Sequence, residues 1–108
     1  MKSLNGPGPS PKSKNHLRTI CEFLGIAIRI HYNEGIHSGR AHFHVVAPDF
    51  EVSIDIETGE ELSLTKLPPG RRSRLIRKWA RENREALMEN WRLAREGKAM
   101  KQLRPPRH

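Results

Sequence analysis

The chain has 108 residues, a length that allows one domain and excludes two of ordinary size. Hydrophobic residues make up 35% and charged residues 30%, and 20 Lys and Arg against 12 Asp and Glu give a net charge of +8. The single cysteine excludes an internal disulfide, and no apolar run is long enough to span a membrane. We expect a cytoplasmic protein that needs no cofactor and no membrane.

The positive charge is concentrated towards the C-terminal end. Residues 68–108 contain thirteen Lys and Arg against four Glu, whereas residues 25–67 contain three Lys and Arg against seven Asp and Glu. A basic segment of this kind binds phosphates or an acidic partner, or it is a solvated helix face.

The chain begins with a segment that has no apolar period. Residues 1–15 are rich in Pro, Gly and Ser, which predicts a disordered tail. Residues 16–24 carry apolar side chains at spacings of three, three and one, which predicts a short helical turn or an irregular lead-in ending at Gly25. We therefore place a single domain at 16–104, followed by a C-terminal tail at 105–108.

Three segments alternate apolar and polar residues, which is the period of a strand with one buried face. They begin at Gly25, His42 and Phe50 and read GIAIRIHY, HFHVV and FEVSIDI. Residues 33–41 between the first two are rich in Gly and polar residues, which predicts an exposed loop.

Turn signals connect the later strands. Residues 47–49 and 57–60 read APD and ETGE, both typical of tight turns. Leu62, Leu64 and Leu67 indicate a fourth, short strand. Strands joined by short turns are antiparallel, since parallel neighbours need a long crossover.

Residues 71–96 are predicted to be helical, because their apolar residues fall within an arc of about 160° at 100° per residue. A Pro-Pro-Gly run precedes the segment and Gly97 ends it. Asn83 and Asn90 lie inside the apolar arc. Asn83 marks a break between two helices and acts as a cap, or the helix is continuous and both amides are buried and hydrogen-bonded.

The predicted architecture is α+β: a four-stranded antiparallel β-meander packed on one face by one long or two shorter C-terminal helices. The apolar face of the sheet and the apolar stripe of the helical segment cover each other, with Trp79 and Trp91 as core anchors and Cys21 as a small buried residue. A core of roughly twenty apolar side chains is thin, which favours a partner protein or a homo-oligomer.

The polar face of the predicted sheet carries the residues suited to chemistry. On it, or in the adjacent loop, lie Arg29, His31, His37, Arg40, His42, His44, Ser53 and Asp55. Imidazoles titrate near neutral pH and serve as acid or base, and an arginine holds a phosphate. One hypothesis is therefore a metal-independent endoribonuclease that uses His42, His44, His31 and Arg29.

Two other interpretations of these histidines stay open. His42 and His44 are two apart on a strand and point the same way, so together with His31 or Asp55 they form a weak candidate for a divalent-metal site. They are also the kind of polar side chain that any sheet shows to water. We assign no metal ligand.

The segments RTICEFLGIAIRIHYN, AHFHVV, SIDIETGE and ALMENWRLAREG, with a Leu-Pro before the helix, resemble a family of short bacterial proteins catalogued as domain of unknown function 4160. The resemblance covers about residues 18–103. The family's loop before the second strand is usually proline-rich, whereas here it reads IHSGRAHFHV. The family's paired histidines and other recurrent positions are matched by His42, His44, Asp55, Gly59, Asn90 and Trp91.

The resemblance implies a partner rather than a mechanism. Genes of this family are often found beside that of a second small protein, in arrangements that look like toxin–antitoxin modules. The resulting hypothesis is a component of such a module that binds RNA and, in the stronger form of the hypothesis, cleaves it. The alternatives are a non-enzymatic protein- or DNA-binding regulator and a metal-binding domain. The expected nucleic-acid contacts are Arg40, Arg74, Arg77, Lys78 and Arg81.

Overall fold

The computed structural model describes residues 17–31 and 40–107. These ranges contain the strands and helices β1 (Leu17–Phe23), β2 (Ile26–His31), β3 (His42–Ala47), β4 (Phe50–Asp55), α1 (Arg71–Glu82) and α2 (Arg84–Arg95). The strands pair antiparallel in the order β1-β2-β3-β4. The predicted α+β fold is confirmed. The tail predicted at 1–15 and the loop residue His37 lie outside the described residues.

The first strand comes from residues 16–24, the segment whose apolar spacing predicted a helical turn or an irregular lead-in. Its register with β2 shifts between Thr19 and Cys21, because Ile20 forms a β-bulge. The bulge turns Ile20 and Cys21 into the core, where they are 0% and 3% exposed. The prediction was wrong because a bulge breaks the alternation by which a strand is recognised in a sequence.

The strand predicted from Leu62, Leu64 and Leu67 is also wrong. In the described part of the chain, only an isolated bridge at Glu61 continues the sheet beyond β4, and Leu64 is 99% exposed. The Glu61 carboxylate explains the difference. It accepts the Leu67 N–H at 2.9 Å and pairs with Arg77 at 3.0 Å, so the segment hydrogen-bonds to β4 only as far as Leu62 and then folds around this side chain.

The two helices cover one face of the sheet and enclose the core. Trp79 is 1% exposed, and its ring centre lies 6.0 Å from that of Phe23 and 6.3 Å from that of Phe43. Trp91 on α2 is also buried. Both tryptophans are core anchors, as predicted, and no helix of residues 17–31 or 40–107 covers the other face of the sheet. No helix in the described ranges has the length and apolar character needed to cross a bilayer.

Asn83 divides the helical segment in two, as one of the two alternatives predicted. Its side chain does not cap the start of α2. Instead, its Nδ2 donates to the Trp79 carbonyl at 2.8 Å and closes the end of α1.

Residues 98–107, here called the C-terminal strap, run back along the helices to the edge of the sheet. The Trp79 Nε1–H donates to the Arg104 carbonyl at 2.7 Å. The Leu103 N–H donates to the Ile20 carbonyl of β1 at 2.8 Å. The strap therefore satisfies part of the edge of β1, which pairs only with β2 among the described strands.

Candidate functional site

The face of the sheet turned away from the helices, here called the open face, brings the three predicted imidazoles together. The ring centres of His42 and His44 lie 5.1 Å apart, and those of His31 and His44 lie 6.5 Å apart. The alternation of β2 and β3 accounts for this grouping, because Ile30, Phe43 and other core residues between them point the opposite way. We call His31, His42 and His44 the histidine cluster.

His42 is the member of the cluster that touches the helical layer. Its ring centre lies 5.2 Å from that of Trp91, at the end of the sheet. Its Nδ1 lies 2.8 Å from the Arg40 carbonyl oxygen. Since a carbonyl oxygen only accepts, Nδ1 carries a hydrogen and donates it.

His44 is partly enclosed, with 17% of its side chain exposed. Its Nδ1 lies 3.4 Å from both the Ser53 hydroxyl and a Glu51 carboxylate oxygen. Burial lowers the pKa of His44, the charge of His42 lowers it further, and Glu51 only partly offsets both effects. His44 is therefore neutral at neutral pH and suited to accept a proton.

Arg29 supplies a positioned cation beside these imidazoles. It lies directly opposite His44 in the register of β2 and β3. Its Nε donates to the Thr19 hydroxyl of β1 at 3.0 Å. Because a guanidinium has five N–H donors, this contact holds the side chain and uses only the Nε donor. Thr19 was missed from the sequence, since β1 itself was not predicted.

Arg40 has a structural role at the end of the sheet. It pairs with Asp55 at 2.7 Å and with Glu60 at 2.8 Å. Burial alone would raise the pKa of Asp55, but the N–H groups of Thr58 and Glu57 and the Arg40 guanidinium outweigh it and lower the pKa. Because both carboxylates lie so close, the positive charge of Arg40 is already compensated, and a phosphate would have to compete with them.

The described residues do not offer a metal site. Across 17–31 and 40–107, no three His, Cys, Asp or Glu side chains are arranged to hold a metal ion. Asp55, considered above as a ligand beside His42 and His44, is committed to Arg40 and to the turn that follows β4. Cys21 is buried, and burial raises the pKa of its thiol.

A second surface lies on α1. Its exposed cations recur at spacings of three, four and three residues and form what we call the basic stripe: Arg71, Arg74, Lys78 and Arg81. At 100° per residue they span an arc of about 80°, centred about 180° from the buried side chains of the helix. None of them forms an ion pair within the described part of the chain.

The stripe overlaps the predicted nucleic-acid contacts without matching them. Arg74, Lys78 and Arg81 belong to it, whereas Arg77 pairs with Glu61 beside it. Arg71 was not predicted as a contact. The helical period would have identified it, because Arg71 lies three residues before Arg74, about one turn, and therefore on the same face of the helix.

The profile of a family described as a domain of unknown function, DUF4160, matches residues 25–92. The chain belongs to the DUF4160 family. The DUF4160 match contains the histidine cluster, Arg29 and the basic stripe, whereas Thr19 and the C-terminal strap lie outside it. Comparison with curated proteins and with solved structures gave no significant match.

Proposed function

We propose that this DUF4160 protein binds RNA through the basic stripe, as one component of a toxin–antitoxin-like pair with a second small protein. The observation that supports RNA binding is the stripe itself, four cations on one helix face that no described carboxylate neutralises. The stripe covers ten residue steps of α1, about 15 Å, which is long enough to face several phosphates of one strand. The pairing with a second protein is supported by the resemblance stated above.

RNA is favoured over sequence-specific DNA recognition by the connection between the helices. A helix-turn-helix joins its two helices by a turn of about three or four residues and crosses them steeply. Here Asn83 is the only residue between α1 and α2. The described residues therefore contain no second helix placed to read a major groove.

The test of RNA binding removes the charge of the stripe. The stripe variant combines R71Q, R74Q, K78Q and R81Q. A matched control makes the same change of net charge elsewhere and combines R92Q, K98Q, K101Q and R107Q. Binding to single-stranded RNA is measured at several salt concentrations. A plot of the logarithm of affinity against the logarithm of salt concentration has a slope of about −0.7 per phosphate contact. We therefore expect the slope for the stripe variant to be shallower by up to about 3.

The control variant should keep most of the slope, since Arg92 is paired with Glu89 and Glu96 and Lys98 with Glu96. An equal loss in both variants would show that net charge, and not the stripe, determines binding. Affinity of the unaltered protein that does not change with salt would contradict the RNA proposal and favour a protein partner. Equal affinity for double-stranded DNA would favour the DNA-binding alternative.

A second candidate function, cleavage of RNA on the open face, is favoured by the histidine cluster and Arg29. In such a reaction the 2′-oxygen attacks the adjacent phosphorus while its proton passes to a neutral imidazole. The P–O5′ bond breaks as a protonated imidazole gives its proton to O5′, leaving a 2′,3′-cyclic phosphate and a 5′-hydroxyl. His44, with its lowered pKa, suits the base. His42 suits the acid, because the Arg40 carbonyl accepts from its Nδ1.

The two candidate functions are separable, because the basic stripe and the open face lie on opposite sides of the two-layer domain. The variant H42A/H44A should lose RNA cleavage by at least about 100-fold, the usual contribution of general acid–base groups, while RNA binding by the stripe is retained. S53A is the matched control, because it removes a hydroxyl that contacts His44 but does not titrate near neutral pH. Cleavage by the folded double variant at an unchanged rate would contradict this function.

A further inference from the structure

A shallow hollow lies on the open face, at the end of β2 away from the histidine cluster. Its volume is about 520 Å³, within the range of small-molecule sites. Its apolar lining includes Ala27, Val46, Ala47 and Pro48. Two charged side chains also line it, Arg29 and Glu22. Gly25, Ala27 and Ala47 in the lining have small side chains or none, which leaves room for a ligand there.

The hollow, the cation and the imidazoles form a row. Ala27, Arg29 and His31 alternate along β2 and share the open face, at steps of about 6.6 Å. On the neighbouring strand, Val46 lies opposite Ala27 and His44 opposite Arg29. Over about 13 Å the open face therefore changes from apolar to cationic to imidazole.

A ligand that fits this row is flat and apolar at one end and anionic at the other. A nucleotide of single-stranded RNA has this form, because its base carries apolar faces and its phosphate a negative charge one sugar away. Arg29 is placed to meet the phosphate, since the Thr19 hydroxyl holds its Nε at 3.0 Å. The hollow is then the surface left for the base.

The carboxylate of Glu22 allows the hollow to discriminate between bases. It is exposed, it lines the hollow, and it lies opposite Ala27 in the register of β1 and β2. An ionised carboxylate only accepts hydrogen bonds. It therefore attracts the 4-amino group of cytosine and repels the 4-carbonyl oxygen of uracil, two bases of the same size.

We propose that the hollow is a nucleobase subsite for single-stranded RNA, with the phosphate of the same nucleotide on Arg29, and that Glu22 makes the subsite prefer cytosine to uracil. This inference rests on the second candidate function, because a phosphate on Arg29 lies next to His44. It adds a binding step that can be measured without any cleavage.

The test uses the full chain labelled with ¹⁵N and titrated with cytidine 5′-monophosphate, uridine 5′-monophosphate or inorganic phosphate. Dissociation constants come from the amide shifts of Ala27, Val46 and Arg29. The cytidine nucleotide should bind more tightly than the uridine nucleotide by about tenfold, the effect of one charge-assisted hydrogen bond, and more tightly than phosphate. E22Q should abolish the preference between the two nucleotides.

A second variant, A27L, fills the hollow from a face that neither α1 nor α2 covers. It should reduce the affinity for the cytidine nucleotide to that for phosphate and leave phosphate binding unchanged. R92Q, at an exposed arginine of α2 that pairs with Glu89 and Glu96, is the control and should change neither. Equal affinity for nucleotide and phosphate, no effect of A27L, or no binding of the cytidine nucleotide would overturn the subsite.

If the catalytic proposal failed, the results would differ from those expected when the subsite proposal fails. If the cytidine nucleotide binds as expected and H42A/H44A leaves cleavage unchanged, the subsite is supported and the catalytic role of the histidines is contradicted. If RNA is cleaved and A27L cuts cytidine and uridine sites at the same rates as the unaltered chain, the subsite is contradicted and the catalytic role stands.

Discussion

At the scale of single residues, the amide of Asn90 determines where the C-terminal strap lies. Asn90 is 0% exposed on the buried face of α2, where the other inward residues include Leu87 and Ala94. Its Nδ2 donates to the Lys101 carbonyl at 2.9 Å, and its Oδ1 accepts the Lys101 N–H at 2.8 Å. A buried amide is costly unless both its groups are paired, so the strap and the amide need each other.

We expect N90A to destabilise the protein by about 1–3 kcal/mol, because it leaves two backbone groups of Lys101 without their partner and opens a gap in the core. Urea unfolding measures the loss. Hydrogen exchange should show the Leu103 amide, which bonds to Ile20, exchanging faster than before. R92A on the exposed face of the same helix is the control and should cost less than about 0.5 kcal/mol. If N90A matches that control in both measurements, the strap is held by other contacts.

The residues of the open face were predictable to different degrees. Strand alternation alone put His31, His42 and His44 on one face, because it depends on neighbours in the chain. The Thr19 contact to Arg29 was not predictable, since it joins strands whose pairing depends on a bulge. The hollow was not predictable either, because it arises where small side chains of separate strands meet across the register.

At the scale of elements, the sequence predicts those strands whose side chains alternate without interruption. β2, β3 and β4 lie where the period of two placed them, and α1 and α2 lie within the predicted helical range 71–96. The two errors share one cause. In each segment a local structural device, a bulge or a side-chain contact, replaces the regular alternation of apolar and polar residues. In β1 the device is the bulge at Ile20, and after β4 it is the carboxylate of Glu61.

The β1–β2 turn shows a third device. Leu24 and Gly25 both take a positive φ, of 50° and 74°, which is the backbone of a tight hairpin turn. Glycine adopts this conformation freely, but a leucine rarely does. The sequence marked Gly25 as the end of a segment and gave no sign that Leu24 would share the turn, because leucine is not a turn residue.

At the scale of the whole molecule, the fold separates two charged surfaces that the sequence could only count. The composition showed a basic C-terminal half, but the position of the stripe opposite the open face depends on how the helices pack on the sheet. His44, by contrast, is enclosed by the sheet itself, between side chains of the neighbouring strands. There it faces His31 and Arg29 from β2, His42 on its own strand, and Glu51 from β4.

This enclosure couples the stability of the fold to pH. Burial and the charge of His42 hold the pKa of His44 below its ordinary value of 6.5. Between that lowered value and 6.5, the unfolded chain binds more protons than the folded one, so the free energy of unfolding falls as the pH falls. Asp55 and Glu61 act in the same direction at lower pH, because their pKa values lie below the ordinary 3.8 and 4.5.

We therefore expect stability to be lost in two steps on acidification, the first as the pH falls below 6.5 from His44 and the second as it falls below 4.5 from the carboxylates. H44Q keeps a polar side chain and should remove most of the first step without changing the second. S53A, which keeps the imidazole, should retain both steps. The measurement is the urea midpoint of each variant across this range at constant ionic strength. If H44Q and the unaltered chain lose stability in parallel as the pH falls below 6.5, then His44 is not held neutral by its enclosure, and its assignment as the base on the open face fails with it.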